Sequence, residues 1–131
     1  MKTLIVEDDF VSRRLLQVIL SEYGQCDIAV NGREALTAFE LAWQEESPYQ
    51  LICLDIMMPE MDGQEVLKEI RTIERDLGVA WEDGVKIIMT TALSDQDNIK
   101  RAFHEQCEAY LIKPIERRKL LDQLRELGLI A

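Results

Sequence analysis

Apolar positions along this chain fall into two alternating rhythms. Short unbroken runs, Leu4-Ile5-Val6, Leu51-Ile52-Cys53-Leu54, Val85-Lys86-Ile87-Ile88-Met89 and Tyr110-Leu111-Ile112, have the length and branched content of strands. Between them the apolar residues take helical spacing. Residues 10–22 place Leu15, Leu16, Ile19 and Leu20 on one face, with Gly24 as the stop. Residues 26–30 read as a further short strand. Asn31 then caps a helix carrying Leu36, Phe39 and Trp43, with Glu34 as its capping-box partner and Ser47-Pro48 beyond its end. Asp62-Gly63-Gln64-Glu65 opens the next helix in the same way, with Val66, Leu67, Ile70 and Ile73 inward and a stop near Gly78. A short helix is expected at 95–105, capped by Ser94 or Asp95, and an amphipathic one at 115–127 with Leu120, Leu121, Leu124 and Leu127.

Strands at 2–6, 26–30, 51–55, 85–90 and 108–112 thus alternate with five helices. Strict alternation predicts an α/β fold, a doubly wound five-stranded parallel sheet whose right-handed crossovers put helices on both faces. The run 51–55 is the most apolar and belongs at the centre. With no repeat, low-complexity tract or linker, the pattern predicts one domain over 1–131 and no output domain. The stretch 74–86 is long for a helix-to-strand connection. It holds Trp81, expected to pack against Ile73 or Leu77, with contact to a partner as the alternative.

The net charge of −10 argues against a broad basic surface for nucleic acid, and most of the acidic excess reads as solvated surface. No apolar run can span a bilayer and no secretory pattern opens the chain, so the expected location is cytoplasmic, with no membrane partner. Cys26, Cys53 and Cys107 form no C-x-x-C pair, so neither a disulfide framework nor a zinc site is expected. Cys53 reads as a small core residue.

The chemistry lies just after the strands. In a parallel α/β sheet the carboxyl ends of the strands share one edge, where ligands bind. Glu7-Asp8-Asp9, Asp55, Thr90-Thr91 and Lys113-Pro114 each follow a strand-like run, which gathers carboxylates, a hydroxyl and an ammonium. Carboxylates that close oppose each other's ionisation unless a cation compensates. Oxygen ligands with room for phosphate contacts suit Mg²⁺. Asp9 is also placed to cap the first helix. Asp55 is the candidate nucleophile, since a carboxylate can attack phosphorus to form an acyl phosphate. Lys113 supplies fixed positive charge, and Thr91 a hydroxyl for a phosphoryl oxygen.

These segments, with Asp55-Ile56-Met57-Met58-Pro59-Glu60-Met61-Asp62-Gly63 the most specific, resemble the receiver domain of two-component response regulators over the whole chain. The resemblance implies a flavodoxin-like sheet of order 2-1-3-4-5 and a phosphorylation-dependent switch akin to the single-domain chemotaxis regulators. It implies that Asp55 accepts a phosphoryl group from a histidine kinase or phosphotransfer domain. Asp9 would hold Mg²⁺ directly and Asp8 through water, with Asp55 and the Met57 carbonyl as further ligands. Lys113 would contact the phosphoryl group beside a cis bond to Pro114, which X-Pro bonds adopt at modest cost. Thr91 and Tyr110 would be the switch residues, and the 95–127 face would meet a downstream target, as a monomer or a phosphorylation-dependent dimer. A phosphorelay intermediate or a constitutive binding module is the alternative.

No enzyme activity beyond self-catalysed transfer and slow autodephosphorylation is expected. An aspartyl phosphatase needs a second Asp two residues after the first, where this chain has Met57. A flavin carrier needs a small, hydroxyl-rich phosphate loop where this chain has Glu7-Asp8-Asp9. Met57 and Leu93 flank the expected path of attacking water and cannot orient it. Arg117, Arg118 and Lys119 cluster in the first turn of the last helix and read as a solvated face on the output surface; His104 is given no chemistry.

Overall fold

The computed structural model describes residues 1–92 and 107–131. Strands β1 (Thr3–Val6), β2 (Cys26–Ala29), β3 (Leu51–Asp55), β4 (Lys86–Thr91) and β5 (Ala109–Ile112) form one sheet of order β2-β1-β3-β4-β5. All four pairings are parallel. The order and the central place of β3 are as expected. Four α-helices are present among the described residues: α1 (Phe10–Leu20), α2 (Gly32–Gln44), α3 (Gly63–Asp76) and α4 (Arg117–Glu126). The fifth expected helix, 95–105, lies outside the described residues, as do Leu93, Ser94, Asp95 and His104. No helix among the described residues is long and apolar enough to cross a membrane.

Alternation of side chains along β3 builds a core on each face of the sheet. Ile52 and Leu54 pack with Phe39 of α2 and Ile70 of α3 on one side. Leu51 and Cys53 pack with Leu16 of α1 and Leu120 of α4 on the other. Registers Asp55↔Thr90 and Thr91↔Ile112 bring the ends of β3, β4 and β5 level.

Local chemistry sets the helix boundaries. Asn31 Oδ1 accepts the Glu34 N–H at 2.8 Å, while Glu34 Oε1 accepts from Val30 N–H, one residue outside the expected box. Asp62 Oδ1 accepts the Glu65 N–H at 3.0 Å. Helix α1 ends at Leu20 and tightens into a 3-10 turn, Ser21–Tyr23, before Gly24. Leu16, Ile19 and Leu20 are buried, but Leu15 is exposed and does not share their face.

The 74–86 stretch departs most from expectation. Its first residues belong to α3, Gly78 at φ +77° ends the turn, and Trp81–Asp83 forms a second 3-10 turn. Trp81 is 45% exposed instead of buried, with the Arg71 guanidinium 4.5 Å from its ring centroid. Arg71 itself is buried. It bonds Glu74 Oε1 at 2.8 Å, Glu108 Oε1 at 2.9 Å and the Val85 carbonyl at 2.9 Å. Glu74 Oε2 and Glu108 Oε1 accept the Val85 and Ile87 N–H groups, so three charged side chains tie α3 to the base of β4 and the start of β5. Part of the charge read as solvated surface is therefore structural.

Candidate functional site

Glu7 follows β1 and is fully buried, held by its N–H to the Ala29 carbonyl at 3.0 Å. Asp55 ends β3 and is also buried, whereas Asp8 is exposed. Ligand oxygens of Glu7, Asp8 and Asp55 all lie within 4.8 Å of one another. Lys113, just after β5, reaches into this group. Its ammonium pairs with Glu7 Oε1 and lies 3.4 Å from Asp55 Oδ2. The Lys113 N–H donates to the Thr91 carbonyl at 2.7 Å, and the Lys113–Pro114 peptide is cis, as the resemblance implied.

The loop after Asp55 closes over the site through close backbone approach. The Met57 N–H donates to Asp55 Oδ1 at 3.2 Å, and the Gly63 N–H to the Ile56 carbonyl at 2.9 Å. A Cβ on Gly63 would stand 2.2 Å from the Asp55 carbonyl oxygen, so only glycine fits there. The glycine that reads in sequence as part of a helix start therefore also seats the loop of Asp55.

Electrostatics follow from that packing. Burial, then the adjacent Glu7 carboxylate, pushes the Asp55 carboxyl up to about 8, against the opposing pull of Lys113 and the Met57 N–H. Burial disfavours the Lys113 ammonium, but Glu7 and Asp55 outweigh it and hold its pKa above the usual value. Glu7 Oε2 is buried with no hydrogen-bond partner. An orphaned carboxylate oxygen beside two further carboxylates fits a hard divalent cation, which would supply the missing partner and the missing charge.

The structure divides the run of three acids differently from the expected ligand set. Asp9 is the N-cap of α1. Its Oδ2 accepts the Ser12 N–H at 2.9 Å, and that bond holds its pKa below the ordinary value. Asp9 is not in the carboxylate cluster, and Glu7 takes the place there that the resemblance had assigned to it. The signal was available: a helix beginning at residue 10 makes Asp9 its cap and turns the acid's oxygens to backbone N–H groups.

The remaining expected residues are distributed around this core. Thr91 is fully buried at the end of β4, its Oγ1 3.2 Å from the Ala92 carbonyl. Tyr110 lies on the outward-facing side of β5, 36% exposed, between inward Ala109 and Leu111. Met57 is 56% exposed beside Asp55.

A parallel sheet of this order, with acids after its first and third strands and a lysine after its fifth, defines the receiver class of doubly wound domains. The chain belongs to that family: residues 3–125 match the response regulator receiver domain. The regulatory protein VanRB of Enterococcus faecalis is 36% identical over 127 residues, covering 96% of this chain and 51% of that protein. The structure of the Saccharomyces cerevisiae phosphotransfer protein Ypd1 with the receiver domain of Ssk1 matches with a TM-score of 0.83 at 29% identity, covering 98% of this chain and 88% of the matched one. The receiver domain of the Arabidopsis thaliana histidine kinase CKI1, complexed with Mg²⁺ and BeF₃⁻, matches with a TM-score of 0.81 at 27% identity, covering 97% and 89%. The chain spans about half or less of the length of the first curated relatives it matches.

Proposed function

We propose that this protein is a phosphorylation-dependent signalling switch with Asp55 as its acceptor. The observation that carries the reading is the buried Asp55 carboxyl held between the Glu7–Asp8 carboxylates and the Lys113 ammonium. An Asp55 oxygen attacks the phosphorus of a phosphohistidine. The phosphorus–nitrogen bond breaks, and the imidazole leaves with the electron pair and takes up a proton, leaving an acyl phosphate on Asp55.

Glu7, Asp8, Asp55 and the Met57 carbonyl would hold Mg²⁺, which when bound offsets the charge of carboxylates and phosphoryl oxygens. Lys113 then turns from Glu7 toward the phosphoryl oxygens, and the Thr91 hydroxyl donates to another. These contacts exist only in the phosphorylated arrangement and so favour it over the resting one. Tyr110 is the second switch residue, its exposed ring swinging inward as Thr91 moves. The donor is a histidine kinase or phosphotransfer domain, a reading supported by likeness to the Ssk1 receiver solved with Ypd1. The target meets the 95–127 face, of which 107–127 are among the described residues.

Intact mass after incubation with Mg²⁺ and phosphoramidate tests the reading. One phosphoryl adduct is expected on wild type, with none on Asp55→Asn and none without Mg²⁺. An adduct that persists in Asp55→Asn would overturn the assignment.

A further inference from the structure

Far from Asp55, at the opposite edge of the sheet, two adjoining cavities share the Trp43 side chain as a wall. One, of about 290 Å³, is bounded also by Tyr49, Pro48, Glu82 and Asp83. The other, of about 280 Å³, lies between α2 and α3 against Ile73 and Leu77. Together they form an apolar trough that α2, α3 and the Trp81–Asp83 turn leave uncovered. Leu77 is 52% exposed on its wall, and Trp81 stands 45% exposed beside it.

Three features describe what would fill it. The exposed rim is acidic, with Glu40, Glu82 and Asp83. Two of the cations beside it are turned elsewhere: Arg71 pairs with Glu74 and Glu108, and Lys86 Nζ is directed to the Glu82 carbonyl. Trp43 forms the wall common to both cavities and lends them much of their apolar lining. An apolar floor and an acidic rim complement a segment that brings aliphatic side chains together with Lys or Arg.

We propose that this trough is a docking site for a basic, aliphatic segment of a partner protein, separate from the phosphoryl-acceptor edge. The sequence alternative of a partner contact at Trp81 then has a physical form, with Trp81 at the edge of the site and Trp43 at its centre. The proposal stands independently of the switch chemistry.

Trp43 and Trp81 are the two tryptophans of the chain, so indole signals report on this surface alone. The probe is an acetylated, amidated peptide of alternating lysine and leucine pairs, titrated into ¹⁵N-labelled protein. Titration at about 150 mM salt leaves charge attraction beyond ~8 Å screened. The expected result is a shift of the Trp43 indole N–H resonance with the Leu77 and Glu82 amides. Binding should weaken at least tenfold in the doubly substituted Glu82→Lys, Asp83→Lys protein, which still takes up phosphoryl from phosphoramidate. Equal affinity for the glutamate-for-lysine peptide, equal affinity in the charge-reversed protein, or shifts confined to residues near Asp55 would overturn the proposal. So would a concentration-dependent dimer that covers Trp43 and is lost with Leu77→Asp, which would make the occupant a second copy of this chain.

Discussion

Lys113 and Glu7, 106 residues apart in sequence, meet as an ion pair across the strand ends, with the Lys113 ammonium also 3.4 Å from Asp55 Oδ2. The resting site therefore holds its own cation against its own anion. In the proposed switch, a phosphoryl group on Asp55 would compete with Glu7 for Lys113, and a divalent cation would compete with Lys113 for Glu7.

That arrangement separates the roles of neighbouring acids. Glu7→Gln is expected to weaken Mg²⁺ binding by roughly tenfold or more, since it removes a carboxylate from the cluster. Asp9→Ala should leave Mg²⁺ affinity near wild type and instead lower stability through loss of the α1 cap. Calorimetric titration with Mg²⁺ and urea unfolding of both variants check the pair. The reverse ranking would return the metal to Asp9.

The elevated Asp55 pKa, about 8, gives two pH dependences of definite sign. A carboxyl raised in the folded state binds more protons folded than unfolded between its two pKa values. Its stabilising contribution is present at low pH and is lost as pH rises toward about 8. Metal-free protein should therefore lose stability from about pH 4 to about 8, with Asp55→Asn flattening the decline. Because that proton must leave before a cation enters, apparent Mg²⁺ affinity should fall by up to about tenfold per unit of pH below 8. Urea unfolding of metal-free protein across this range reads the first effect and Mg²⁺ titration the second, each in wild type and Asp55→Asn.

Met57 presents a half-exposed thioether beside Asp55, with no group able to orient water. The acyl phosphate is expected to survive for minutes or longer. Met57→Asn, which offers a donor and an acceptor, should speed its hydrolysis on the order of tenfold, at the low end of what a positioned polar group contributes. Decay of the mass adduct over time measures this, and loss of wild-type label within seconds would defeat it.

The buried Arg71 network predicts an asymmetry in stability. Arg71→Ala strands Glu74 and Glu108 without their cation and should cost ~3–5 kcal/mol. Trp81→Ala removes only the stacked ring and should cost ~0.5–1 kcal/mol. Urea unfolding distinguishes them, and equal costs would mean that the ring, not the ion network, holds the turn.

All five strands and the four described helices were legible in the sequence, because two-sided burial of β3 and one-sided burial of the helices leave distinct rhythms. Leu15 misled because it stands one helical turn before Ile19 yet falls outside the buried stripe. The positions of Asp55, Thr91 and Lys113 were legible because each closes an apolar run. Glu7 was not singled out because the resemblance put the metal on Asp8 and Asp9, although the cap position of Asp9 marked it as the acid that turns to backbone N–H groups. Arg71 and Glu74 look like an ordinary exposed pair one helical turn apart. Nothing local announces that Glu108, 37 residues from Arg71, completes them, or that Trp81 stacks above.

Strand β3 is hydrogen-bonded on both sides and covered on both faces, and Asp55 is fixed to its end. The amides of Ile52, Cys53 and Leu54 should be among the slowest in the molecule to exchange with deuterium, opening only with global unfolding. The acceptor is thus mounted on the stiffest bar of the sheet. Whatever motion the new charge provokes has to be taken up on the β4–β5 side, where Thr91 and Lys113 are joined by a single backbone hydrogen bond and the outermost strand has one neighbour instead of two.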